Sequence, residues 1–270
     1  MARIDAASLD ITHLDRLALG DTSLHRLDPR AKVLVTAVFI ISVVSFGKYE
    51  VSALVPFVLF PAVMMAQGNI PFSVIVRKAL FVLPFAVAIG IFNPVFDREV
   101  LVQLGPLGIS AGWVSCVAIV IRSLLTVAAA VILVAVTGFP SVCWALERLG
   151  MPRTFAMQLL FLYRYIFVLI EEGRNASRAR ELRSAGKTSM GMATFGSLVG
   201  HLLLRTWERA ERIHMAMLAR GFIGEFHARR DYRFGLKDLL FLLGWSSLFI
   251  IMRQWNVSRI FGNLVTGLLR

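Results

Sequence analysis

Apolar positions gather into five runs along the chain, separated by short polar turns: residues 33–46, 51–66, 79–92, 113–137 and 239–252. A bilayer crossing needs about 20 residues of helix, a length that the fourth run exceeds and the first, though short, can reach by extending at either end. The pattern therefore predicts about five transmembrane helices. Between the fourth and fifth runs it changes character. Thr154–Ile170 is apolar but holds Arg164 between Tyr163 and Tyr165, and about sixty charged, helix-favouring residues follow. We read Thr154–Ile170 as a helix that packs against the spans and runs on into the charged block, without being a span itself.

Local signals sharpen this outline. In His25–Lys32 (HRLDPRAK), Asp28 suits an N-cap and Pro29 the first helical position. Arg30 and Lys32 then precede the first apolar run and place the N-terminus in the cytoplasm. Gly47–Glu50 reads as a tight turn and Gln67–Lys78 as an inner loop carrying Arg77 and Lys78. Residues 93–112 read as an outer loop with Pro94, Gly105, Pro106 and Gly108. Ser141–Leu149 has the pattern of a short amphipathic helix. The expected organisation is residues 1–137 with four spans, 138–235 as cytoplasmic helices, and 236–270 as the last span and a tail. No inverted repeat of the transporter kind is visible. The fold class is an all-α polytopic membrane protein with a cytoplasmic helical domain.

Composition agrees. Hydrophobic residues make up 57% and charged residues 17%, against about 25% charged in soluble domains. A formal net charge of +12 would suggest nucleic acid in a soluble protein. Here it fits a cytoplasmic face lying against anionic membrane lipid, and no nucleic-acid-binding motif is present. The polar start lacks an apolar core, so a cleavable signal peptide is not expected. Cys116 and Cys143 stand 27 positions apart with no CxxC spacing and read as buried thiols.

The charged block, Glu171 to Arg233, has twelve Arg or Lys against seven acids, a net of +5. Two short sequences stand out in it, Leu182-Arg183-Ser184 and Ala219-Arg220-Gly221. Each closes a helix-favouring run, and Gly186 and Gly221 suit the left-handed position after a helix end. One reading is local: an arginine in the last turn complements the helix dipole, worth a few tenths to about 1 kcal/mol. The other is functional: a guanidinium at a helix tip between small neighbours presents a planar fork to a carboxylate on another protein. Ala179-Arg180-Glu181 is a competing first tip; Arg183 is preferred because Gly186 ends its helix shortly after.

These two arginine tips, together with HRLDPRAK and Ala216–Phe222 (AMLARGF), resemble the transmembrane T component of energy-coupling factor (ECF) transporters, the EcfT/CbiQ family. The cobalt or nickel type, CbiQ-like, is the nearest in layout. Leu182 departs from the alanine usual at the first tip. The resemblance implies a T subunit that docks two ABC-type ATPases (CbiO-like) through Arg183, Ser184, Ala219, Arg220 and Gly221. It also implies a substrate-capture membrane subunit (CbiM-like), a small CbiN-like subunit and an inner-membrane location. ATP would be bound by the ATPases, with no cofactor in this chain. Nickel or a vitamin is the alternative cargo.

Site chemistry is missing in a way that suits such a division of labour. His13, His25, His201, His214 and His227 are scattered without metal-ligand spacing, so no metal site is expected. No Walker A sequence and no paired intramembrane carboxylates occur, so no catalytic residue is assigned and an enzyme is not expected. Arg122, nine positions after Trp113 in the fourth run, is costly in lipid unless paired. Its partner is either a group of the capture subunit or one within this chain. Met190, Met192, Met215 and Met217, with Leu218 and Phe222, offer an adaptable apolar surface for helix packing or a partner. A stand-alone membrane enzyme or scaffold with a lipid-binding basic domain is the alternative from another class.

Overall fold

Pro29 opens the first helix of the chain's membrane core, α1 (Pro29–Val44), and Asp28 caps it by accepting from the Arg30 backbone N–H at 2.8 Å. Ala31, Val35, Phe39 and Val43 recur at i, i+4 and are fully buried, while Ile41 and Val44 stand exposed on the opposite side. The computed structural model describes residues 15–96, 100–104, 107–183, 191–222, 232 and 234–254. The chain divides into two units, one built on Phe139–Asp231 and the other joining Arg16–Gly138 to Tyr232–Arg270.

In the second of these units, α1 is followed by a segment in three pieces: α2 (Val51–Leu54), a 3-10 turn (Val55–Val58) and α3 (Leu59–Gly68). Pro56 supplies no backbone N–H, and the ladder tightens around it and then resumes. Asn69 ends α3 in the left-handed region at φ 50°. The next helix, α4 (Phe72–Gly90), starts earlier than the apolar run suggested. Arg77 and Lys78 belong to its first turns and not to a loop, because nothing after Pro71 interrupts the helix.

The expected outer loop is partly ordered. It holds a helical turn, α5 (Asn93–Phe96), and an antiparallel hairpin of β1 (Val100–Leu104) and β2 (Leu107–Ser110), with Leu104 paired to Leu107. Apart from this hairpin, the described fold is all-α. The 27-residue helix α6 (Ala111–Thr137) then packs on α4 through small residues. A Cβ at Gly90 would stand 2.8 Å from Cys116 Sγ, and one at Gly112 only 2.3 Å from Pro94 Cα.

The last helix, α10 (Leu236–Gln254), returns to α1. Phe249 sits among Phe39, Phe57, Phe60 and Trp245 at ring separations of 5.3, 6.0, 5.3 and 5.7 Å. Edge-on and offset geometry of this kind adds to the burial of each ring.

Among the described residues, four helical segments are long and apolar enough to cross a membrane: Val51–Gly68, Phe72–Gly90, Ala111–Thr137 and Arg153–Arg183. The set differs from the five predicted runs. α1 has only 16 residues, and α10 carries Lys237, Asp238 and Arg253 within 19. The helix through Thr154–Ile170, expected to lie beside the spans, qualifies on length and composition because its apolar first half is unbroken.

Candidate functional site

Among its described residues, the unit built on Phe139–Asp231 contains three helices: α7 (Phe139–Arg148), α8 (Arg153–Arg183) and α9 (Met192–Ala219). α7 is the short amphipathic helix expected over Ser141–Leu149; it buries Cys143 and Ala145 and ends in a turn at Gly150, φ 115°. Phe139 stacks on Tyr163 at 4.9 Å and ties α7 to α8. α8 continues without a break from its apolar first half into the charged second half, as the sequence predicts.

α8 and α9 touch along a thin stripe. Leu198, Leu202, Thr206, Arg209, Ile213 and Met217 of α9 are half-buried, and no described residue of α9 is fully buried. A groove of about 730 Å³ runs between the two helices, with Val168, Ala176, Leu198 and Leu202 in its wall and Arg180, Arg183 and Arg205 around it. Within it Glu172 meets Arg205 Nη1 and Arg209 Nη1, each at 3.5 Å. Glu208 and Arg212 form an i,i+4 pair on the exposed side of α9.

Both predicted arginine tips stand at helix ends. Arg183 is the last residue of α8 and exposed, and the neighbouring Leu182 is 80% exposed. Ser184, Gly186 and Met190 lie outside the described residues. Arg180 is half-buried on the groove and has an interaction of its own. At the second tip, Ala219 ends α9, Arg220 is its C-cap and Gly221 turns left-handed at φ 74°. Gly221 N–H donates to Leu218 O and Phe222 N–H to Met217 O, both at 3.0 Å. This pair of bonds is a Schellman closure, which needs a residue without Cβ at position 221. It leaves Arg220 projecting. Among the described residues, the guanidinium groups of Arg183 and Arg220 make no hydrogen bond or ion pair.

Arg122 has its partner within this chain. Its Nη2 donates to Phe46 O at 3.1 Å and Gly47 O at 3.2 Å, carbonyls of the turn that follows α1. The considered contact with a capture subunit is therefore not needed to account for the charge. Arg253, which sequence reasoning left in an unassigned tail, grips the same turn. Its Nη2 donates to Ser45 O at 2.9 Å, and its guanidinium lies 4.4 Å from the Phe46 ring centre.

A second cluster also escaped sequence reasoning. Asp238 accepts from Asp28 N–H at 2.7 Å and from Gly235 N–H at 2.8 Å, so one carboxylate caps α10 and holds the N-cap of α1. Lys32 is buried beside both carboxylates and reaches His25 O at 3.4 Å. His25 bonds Thr22 Oγ1 and Leu17 O. Among the described residues, no group of three or more His, Cys, Asp or Glu is placed to hold a metal ion.

Fold and site together define a polytopic helical membrane protein whose distinctive surface is a pair of arginine-tipped helices. The sequence model of the family described as CbiQ, cobalt transport protein, matches residues 20–232. This chain belongs to that family. It is 29% identical over 254 residues to an energy-coupling factor transporter transmembrane protein EcfT of Heliobacterium modesticaldum, covering 87% of this chain and 94% of that one. An EcfT of Leuconostoc gelidum is 24% identical over 265 residues, covering 90% and 97%. A putative fused cobalt transport protein CbiMQ of Methanocorpusculum labreanum is 33% identical over 89 residues, 33% of this chain and 15% of that protein. These relatives are named as transport components, not enzymes.

Proposed function

We propose that this chain is the transmembrane coupling subunit of an ECF-type ABC importer for cobalt. Two CbiO-like ATPases dock at the tips, one at Arg183 and Ser184, the other at Ala219, Arg220 and Gly221. Their ATP-driven closure moves α8 and α9, and that motion reaches a CbiM-like capture subunit assisted by a CbiN-like protein. ATP binds to the ATPases and no cofactor is held here. The N-terminus and the arginine-tipped helices face the cytoplasm, in keeping with the basic residues that flank the apolar runs. Cobalt, over nickel or a vitamin, rests on the family's description.

The observation that carries this reading is the pair of exposed guanidinium groups at the two helix ends, without a partner among the described residues. An arginine fork held free of its own chain suits a carboxylate in a partner's groove. A further support is the exposed apolar stripe of Met192, Phe195, Val199, Leu203 and Trp207 on α9, a surface for the capture subunit. Arg122 takes no part, since its guanidinium is engaged at the end of α1.

The test is co-purification of the ATPases with tagged protein, together with uptake of radioactive cobalt by cells. Arg183→Glu and Arg220→Glu each weaken ATPase retention, and the double variant loses retention and uptake. Full retention and uptake in the double variant would reduce both arginines to helix caps and overturn the reading.

A further inference from the structure

We infer that Glu172 is the positioning residue of a joint between α8 and α9, the fixed point about which the two arginine tips move together. The inference rests on the coupling reading above for its consequence, and on the geometry of the crossing for its location. Glu172 is only 18% exposed, whereas Arg205 and Arg209 are 69% and 41% exposed. One carboxylate is thus held between two guanidinium groups spaced one helical turn apart on the facing helix. Next to it Gly173 offers no side chain, and a Cβ there would already touch Leu202 Cδ1 at 3.8 Å.

The position along the chain matters as much as the contact. Arg183 lies eleven residues beyond Glu172 on α8, and Arg220 lies eleven beyond Arg209 on α9. At 1.5 Å per residue each arm is about 16 Å long. The carboxylate therefore stands between the two tips, about 16 Å from Arg183 along α8 and, counted from Arg209 and Arg205, about 16–22 Å from Arg220 along α9. Turning α8 by about 10° about this point carries Arg183 about 3 Å, and a like turn of α9 carries Arg220 about 3–4 Å.

The nature of the contact suits a joint. Interdigitated apolar side chains would lock one crossing angle, because packed surfaces tolerate little sliding. The α8–α9 contact is instead thin. Both ion pairs are long at 3.5 Å, and Glu172 Oε2 is buried without a hydrogen bond of its own. Such a pair holds position while leaving the angle free to change.

The experiment uses the assembled transporter in proteoliposomes and measures cobalt moved per ATP hydrolysed. Glu172→Gln keeps size and removes charge. The expected result is normal co-purification of the ATPases and retained hydrolysis, with cobalt per ATP reduced by about tenfold. The charge exchange Glu172→Arg with Arg205→Glu and Arg209→Glu is expected to restore the ratio. A wild-type ratio in Glu172→Gln overturns the inference, as does a loss of assembly, which would make the cluster simple scaffolding. Failure of the charge exchange to restore the ratio overturns it as well. The underlying reading is judged separately: if Arg183→Glu and Arg220→Glu leave ATPase retention intact, the coupling role itself falls.

Discussion

Removing the carboxylate at Asp238 should unpick the membrane core from one end. Asp238→Ala takes the acceptor from two backbone N–H groups at once, those of Asp28 and Gly235, held at 2.7 and 2.8 Å. Asp28, Lys32 and Asp238 are all buried, so solvent does not replace the acceptor lost by the Asp28 N–H, whereas the Gly235 N–H lies at an exposed residue and turns to water. A hydrogen bond to a charged group contributes about 1.5–3 kcal/mol, which the buried bond loses in full and the exposed one only in small part. Lys32 also loses one of the two carboxylates that offset its burial, which adds in the same direction. At about 2–4 °C per kcal/mol, the melting temperature should fall on the order of 10 °C. Cys116 and Cys143 are buried, and a thiol-reactive fluorescent dye therefore reports unfolding in detergent. A Cys143→Ser background restricts the signal to Cys116, in the same unit as Asp238. Asp238→Glu should lose less. A fall smaller than about 2 °C in Asp238→Ala would refute the assigned role, since it would mean that the Asp28 N–H finds another acceptor.

Three further outcomes follow from the same reasoning. Phe249→Ala opens a cavity among four aromatic rings and should cost about 3–5 kcal/mol; Phe81→Ala, at a residue 76% exposed against 1% for Phe249, should leave the dye-monitored melt nearly unchanged. Gly90→Val places its Cβ against Cys116 Sγ and forces α4 from α6; overpacking of about 1–3 kcal/mol should lower the melt and raise Cys116 reactivity below it. Gly221→Ala puts a Cβ at φ 74°, a strain of roughly 1–2 kcal/mol; it should fray the end of α9 in hydrogen exchange and weaken ATPase retention less than Arg220→Glu does.

Where sequence reasoning succeeded, the deciding interactions were local. Asp28 caps a helix two residues away, and Gly221 and Phe222 close α9 on carbonyls three and five positions earlier, respectively. Each is legible because the partner lies within one or two turns. The same holds for the unbroken run of α8 and for the amphipathic α7. It fell short on which helices are long and apolar enough to span, and on boundaries and short elements. α4 begins at Phe72 because nothing after Pro71 stops a helix, though polar composition suggested a loop. The β1–β2 hairpin hides in strands of five and four residues, too short for alternation to stand out against turn residues.

The amino-acid sequence by itself determined the class of protein, the helices, their caps and the two arginine tips. Hydrophobic runs and capping chemistry act over distances that a linear chain displays. Only the tertiary structure decided which charges meet. Asp238 finds Asp28 across 210 residues, Arg122 and Arg253 converge on the turn after α1, and Glu172 sits between Arg205 and Arg209. Nothing local distinguishes these residues from other charged positions in the chain. Their partners are chosen by how the helices pack, where an unpaired buried charge is too costly to leave and the fold supplies its counterpart.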